Sequence, residues 1–437
     1  GNVNGIGNYE VYGEYAQVDA KTYGGATALY NKKLLNTNLR WEQSQTFEVG
    51  LDIGFLQNRL SFILDFYSRR TKDLLTKQAL PGYTGFSDIV TNMGTLRNSG
   101  FEAEVKANII NKGGFTWDMT ANITSVANKI ISLPYNNVEN NRVGGYEVAA
   151  GKVDADGKFP TKWIAGRQEG GKLGELVGYR QQHVFKDWDD VKQHANLRVD
   201  EVANLYGPGL ADQINPATGK TYKESSGWQP IEPGDACWED INGDNIINGY
   251  DRSVMGNIFP NVTGGFSTTF GYKGLSLYAR FDYALGHTLY NDLKARSLGQ
   301  YQGQFNIITD VKDMWSEANP NSDLTKFYYA DQLAKKNITR SNNASTAADN
   351  NSSRYYEKGD YLALREITLS YQLPKSLISK AHLTEASVYV TGQNLFYITG
   401  YDGVSPEPAV STTYGRGIDN GRYPTPRTFL FGLSLTF

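Results

Sequence analysis

Twelve consecutive residues past the middle of the chain carry its sharpest chemical signal. Asp240, Asn242, Asp244, Asn248 and Asp251 put oxygen-bearing side chains at loop positions 1, 3, 5, 9 and 12, and Ile246 offers its backbone carbonyl at position 7. Calcium takes six to eight oxygen ligands, and this spacing lets a single loop wrap most of them around one ion. Asn245 occupies the position usually held by glycine, where a left-handed backbone is needed, and asparagine tolerates that conformation. Asp251 replaces the usual bidentate glutamate. The expectation is a structural calcium site made by Asp240, Asn242, Asp244, the Ile246 carbonyl, Asn248 and Asp251. The alternative is a turn rich in Asx side chains that holds no ion.

Other chemistry is sparse. Cys237 is the single cysteine, which excludes an internal disulfide or a thiolate metal cluster. His183, His194, His287 and His382 show no metal-ligand spacing, and neither a nucleophile elbow nor a phosphate-binding glycine loop is present. Glu102 and Glu104 alternate on one face of a strand, where a hydrated wall is a better reading than a catalytic pair. Tyr146, Trp163, Trp188, Tyr206, Trp228, Tyr328 and Tyr329 could stack on sugar rings or pack the loops, and single out no substrate-binding residue. No catalytic residue is expected and the chain does not read as an enzyme. With 43 Lys and Arg against 46 Asp and Glu, the net charge of −3 does not recruit nucleic acid.

The element that must position these residues is a β-sheet. Phe429, Phe431, Leu433, Leu435 and Phe437 alternate with Leu430, Gly432, Ser434 and Thr436, which gives a strand with one apolar face. The same period of two begins at Gln45 and runs through Phe47, Val49, Leu51, Ile53 and Phe55, then Leu60 to Phe66. It returns at Phe101–Ile109, Phe115–Ile123, Phe266–Tyr272, Leu275–Leu285, near 361–373 and near 386–397. Aromatic residues make up 13% of the chain, and 29 Tyr beside 46 Gly suit β-structure with aromatic girdles and large loops. No apolar run is long enough for a spanning helix.

The pattern divides the chain into a loop region at 1–44, without strands, barrel strands at 45–128, and a long loop at 129–261 that contains the 240–251 motif. Strands follow at 262–288, another loop at 289–359 and strands again at 360–437. Ile308, Val311 and Trp315 line up as one short amphipathic helix within the 289–359 loop. Connections alternate short and long, with the turns at 57, 112, 273 and 374–383 on one side, as periplasmic turns and extracellular loops do in outer-membrane barrels. About nine strands is an odd count, and an open apolar sheet is not tolerable in lipid. The expected fold is all-β: part of a transmembrane antiparallel barrel, its missing strands supplied by an N-terminal portion or a separate chain.

Local motifs then carry a family resemblance. Asn38-Leu39-Arg40-Trp41-Glu42, Gly50-Leu51-Asp52, Asn58-Arg59-Leu60, Asp65-Phe66-Tyr67, Thr71-Lys72-Asp73-Leu74-Leu75, Asn98-Ser99-Gly100-Phe101-Glu102, Asn319-Pro320 and Gly392-Gln393-Asn394-Leu395-Phe396 resemble, in order, the barrel of SusC-type TonB-dependent transporters of Bacteroidetes outer membranes. The resemblance implies a 22-stranded barrel of which this chain is the C-terminal part. It further implies a multi-pass outer-membrane location, an N-terminal plug, energy coupling through TonB-ExbB-ExbD, a SusD-like surface lipoprotein over the extracellular mouth, and pairing of two such complexes in the lipid bilayer. The expected function is import of oligosaccharides or similarly large nutrients. The competing expectation is a surface adhesin or glycan-binding module, stapled by calcium, that transports nothing.

Overall fold

The computed structural model describes residues 12, 14–23, 26–194, 196–199, 214, 219–221, 231–300, 308–327, 351–407, 410–411, 415–421 and 423–437. Nine strands form one sheet: β1 (Gln43–Phe55), β2 (Leu60–Lys72), β3 (Thr95–Lys112), β4 (Phe115–Ser132), β5 (Val262–Tyr272), β6 (Leu275–Leu285), β7 (Tyr361–Gln372), β8 (Glu385–Thr399) and β9 (Thr428–Thr436). Their order in the sheet is their order in the sequence, an up-and-down meander ending on β1 and β9. The short turns follow from local chemistry. Gly113 and Gly114 between β3 and β4, and Lys273 and Gly274 between β5 and β6, all have positive φ, which matches the right-handed twist of the flanking strands.

The first and last strands expose their apolar alternation. Phe47, Val49, Leu51 and Phe55 on β1, and Phe429, Phe431, Leu433 and Leu435 on β9, are all exposed, and Phe431 is 81% exposed. In a water-soluble fold this face would be the core. Here most large buried side chains lie between the sheet strands in sequence, with Ile130, Ala284, Ala363, Leu364 and Ala386 as buried positions on the strands themselves. Tyr179, Phe185, Val191, Leu197, Cys237, Trp238 and Ile247 form one cluster, and Tyr290, Ala295 and Tyr355 another.

The chain divides into two compact units. One comprises 1–105, 123–145 and 166–173, and the other 106–122, 146–165 and 174–437. Within the first, β1 and β2 pair without a register shift from Gln43↔Lys72 to Phe55↔Leu60. Within the second, β5 pairs with β6 and β6 with β7, and Phe266 stacks on its partner Phe281 with ring centroids 4.7 Å apart. The long 129–261 segment has structure of its own, including antiparallel Glu175–Tyr179 with Arg252–Asn257 and Gln181–Val184 with Ala236–Trp238.

Two expectations are corrected. The segment 1–44 is not free of strands: Glu14–Tyr23 pairs with Ala26–Lys33 as a hairpin, and the sheet itself begins at Gln43. In both hairpin strands adjacent apolar residues, Tyr15-Ala16 and Ala28-Leu29-Tyr30, break the alternation, and the register shifts between Gln17 and Thr22, so no clean period of two marks them. The helix through Ile308, Val311 and Trp315 is a single 3₁₀ turn, Thr309–Asp313. Met314 is already extended, and Trp315 instead donates from Nε1 to the Lys186 carbonyl at 3.1 Å. That long-range bond, not helical periodicity, places the indole.

Candidate functional site

The 240–251 loop closes on its own side-chain oxygens. Asp240 accepts from the backbone N–H of Gly243 at 2.7 Å and of Asn245 at 2.8 Å, which draws the first half of the loop around one carboxylate. Asn245 has φ +65°, the left-handed conformation expected at that position. Asn242 accepts from the Asp244 N–H, and Asp244 accepts from Ile246 N–H at 2.7 Å. Asp251 closes the loop: its two oxygens accept from the N–H groups of Ile241 and Asn248, each at 2.8 Å. Ile246–Ile247 pairs in parallel with Arg198–Val199, and the fully buried Ile247 anchors the loop in the cluster around Tyr179 and Trp238.

Asn242 and Asp251 are both fully buried. Burial pushes the Asp251 carboxyl up to about 7; the N–H groups of Asn248 and Ile241 oppose the rise, and nearby Asp240 and Asp244 add to it. A buried carboxylate beside two others is a favourable place for a hard cation. The donor set is all oxygen and therefore fits calcium in kind. The loop oxygens accept from backbone N–H groups, and each keeps a further lone pair with which an ion could be held. The loop thus has two readings in the structure, an Asx-turn network and a cation loop, and the same hydrogen bonds serve both.

One face of β1, β2 and β3 is polar. Thr46, Glu48, Asp65, Tyr67, Arg69 and Glu102 line a cavity of about 360 Å³. The register makes this unavoidable, because Thr46↔Arg69 and Glu48↔Tyr67 are cross-strand partners on the face opposite Phe47 and Val49. Glu102 thus lies on this polar face, lining the cavity. In the second unit, Arg365 donates from Nε to Asp282 at 2.7 Å and from Nη1 to Tyr397 Oη at 3.0 Å, and also bonds Glu407.

Of the loop aromatics, Trp188 is exposed, while Tyr146 carries the Arg252 guanidinium 4.8 Å above its ring and is a packing residue. Trp163 is half-buried on the strand Thr161–Ile164. Tyr206, Trp228, Tyr328 and Tyr329 lie outside the described residues. Sequence reasoning missed a different grouping. Among the described residues, His183, His194 and Cys237 bring three potential ligand atoms within 4.8 Å of one another. No sequence spacing reveals it, because strand pairing supplies the contact.

The β-barrel family model described as "TonB dependent receptor-like, beta-barrel" matches residues 6–228. TonB-dependent receptor P3 of Formosa agariphila is 28% identical over 408 residues, covering 92% of this chain and 35% of that protein. TonB-dependent receptor SusC of Bacteroides thetaiotaomicron is 28% identical over 436 residues, covering 98% of this chain and 35% of that protein. The chain thus spans about a third of the length of the curated relatives it matches. Among solved structures, the RagAB peptide transporter shares the fold with a TM-score of 0.65 at 21% identity, over 99% of this chain and 39% of that one.

Proposed function

This chain belongs to the TonB-dependent receptor-like β-barrel family, and from that premise we propose that it is part of the wall of an outer-membrane importer. The cargo class is oligosaccharides or nutrients of similar size, moved together with a SusD-like surface lipoprotein and powered through TonB-ExbB-ExbD. The observation that carries the reading is the inverted distribution of side chains: the apolar face of the sheet is exposed and the opposite face is charged. A lipid-facing wall around a wet lumen requires that arrangement. The relatives are named as receptors, which agrees with transport rather than chemistry.

The two outer strands of the sheet, β1 and β9, carry rows of backbone groups that hydrocarbon cannot satisfy, at several kcal/mol for each unpaired group. The reading therefore includes further strands of the same transporter beside β1 and β9, with a plug inside and a second transporter alongside. Calcium at Asp240, Asn242, Asp244, the Ile246 carbonyl, Asn248 and Asp251 would brace the long loop without joining transport chemistry.

Uptake of a labelled oligosaccharide by cells is the test. Loss of uptake on deletion of the gene, with binding and uptake restored together by the intact gene, supports import. Surface binding restored without any accumulation inside the outer membrane would replace the importer with an adhesin or glycan-binding module.

A further inference from the structure

His183 and Cys237 are direct cross-strand partners in the pairing of Gln181–Val184 with Ala236–Trp238. The chain leaves the first of these strands, turns at Asp187 and forms α1 (Trp188–Gln193), with Asp187 capping the helix by accepting from the N–H groups of Asp189 and Asp190. His194 is the residue that ends α1, and the short helix returns it to the strand pair. Three elements from two distant stretches thereby place one ring nitrogen of each histidine and the Cys237 sulfur within 4.8 Å of one another.

The hydrogen-bond geometry at this cluster favours metal over mere packing. His194 Nδ1 lies 3.0 Å from the Asp190 carbonyl, which can only accept, so Nδ1 is the donor and Nε2 is the nitrogen left to ligate. Histidine ligands are oriented in this way by the partner of the other nitrogen. His183 Nε2 is enclosed by protein and has no hydrogen-bond partner; Asp190 Oδ1 stands 3.3 Å away without hydrogen-bond geometry. An enclosed, unmatched imidazole nitrogen beside a carboxylate and a thiol costs free energy that a cation would recover. A cavity of about 190 Å³ reaches His194 and Cys237 and is lined also by Gln182, Gln193, Asn196 and Trp238 and, from the oxygen loop, by Asp240 and Asn245.

We propose that His183, His194 and Cys237 form a transition-metal site, taking a borderline divalent ion such as Zn²⁺ with its fourth position open to this cavity. Two imidazoles and a thiolate suit zinc and its neighbours and do not suit calcium or magnesium, so the donor set differs in kind from that of the all-oxygen 240–251 loop, although Asp240 and Asn245 border the same cavity. Zinc bonds of about 2.0–2.3 Å set tetrahedral ligands roughly 3.5 Å apart, so the three atoms must draw in by about 1 Å, within reach of side-chain rotation. Binding forms a metal–sulfur bond and releases the thiol proton, with no change in oxidation state. The Asp190 backbone carbonyl holds the His194 ring, and its carboxylate stands beside His183.

Cobalt titration of the chelator-stripped, detergent-purified transporter tests the site, with calcium kept saturating so that oxygen loops are filled. The expected result is a near-ultraviolet thiolate-to-cobalt charge-transfer band that saturates at one ion per chain and is bleached by Zn²⁺. Cys237→Ser removes the band, and Asp244→Ala, in the oxygen loop, leaves it. Since Cys237 sits in a packed cluster, His194→Gln at the partly exposed end of α1 provides a second variant, expected to weaken cobalt binding at least about 10-fold. Absence of the band in the unaltered protein, its survival in Cys237→Ser, or unchanged affinity in His194→Gln would overturn the proposal.

Discussion

Tyr389 on β8 occupies the space that a Cβ on Gly432, its direct cross-strand partner on β9, would need. The ring covers backbone that glycine leaves bare, and the glycine in turn makes room for the ring. Tyr67 stands in the same relation to Gly100 within the first unit. Gly432→Ala is expected to force Tyr389 out of place and to destabilise the sheet by about 1–3 kcal/mol. The midpoint of denaturant unfolding in detergent measures this; an unshifted midpoint would mean that the ring moves aside freely.

Phe431 points its ring away from the sheet at 81% exposure, whereas Glu48 lies on the polar face that lines the 360 Å³ cavity. Phe431→Arg should therefore impair insertion, at a cost of about 2–4 kcal/mol if the residue sits near the bilayer midplane. Glu48→Gln should insert normally. Quantitative immunoblotting of outer-membrane fractions compares the two, and equal abundance would contradict the assignment of faces.

Arg365 is the residue left over where β7 slips register against β6 and β8. The bulge re-aims its guanidinium at Asp282, Tyr397 and Glu407, and so ties the loop after β8 to the sheet. Arg365→Met leaves two carboxylates without their cation and should cost roughly 1–3 kcal/mol. The effect is expected first in the loop. Hydrogen exchange near Glu407 should rise while exchange in the centres of β6 and β7 changes little.

Calorimetry should detect calcium binding to the purified protein, and Asp244→Ala should weaken it by at least about 10-fold. Chelation of calcium should open the 240–251 loop to proteolysis and leave the sheet folded, since Ile247 is the loop's anchor in its own cluster. No heat of binding at millimolar calcium would leave the loop as an Asx-turn network closed by Asp251.

The nine sheet strands were legible in the sequence because side-chain alternation is a local property: a strand with lipid on one side and water on the other writes its period of two directly into residues such as Phe47 to Phe55 and Phe429 to Phe437. The turn at Lys273-Gly274 and the Asx spacing of 240–251 were legible for the same reason, since neighbours a few residues apart decide them. The hairpin Glu14–Lys33 is not legible locally because adjacent apolar residues, Tyr15-Ala16 and Ala28-Leu29-Tyr30, break its alternation, and the 3₁₀ turn at Thr309–Asp313 reads as a longer helix because three apolar residues at helical spacing do not encode the bond of Trp315 to Lys186. Pairing across long separations was decided by the tertiary structure alone. His183 meets Cys237, Tyr389 covers Gly432, and Arg365 is ejected at a bulge, because register depends on which strand lies alongside and a shift of one residue would turn each of these side chains to the opposite face.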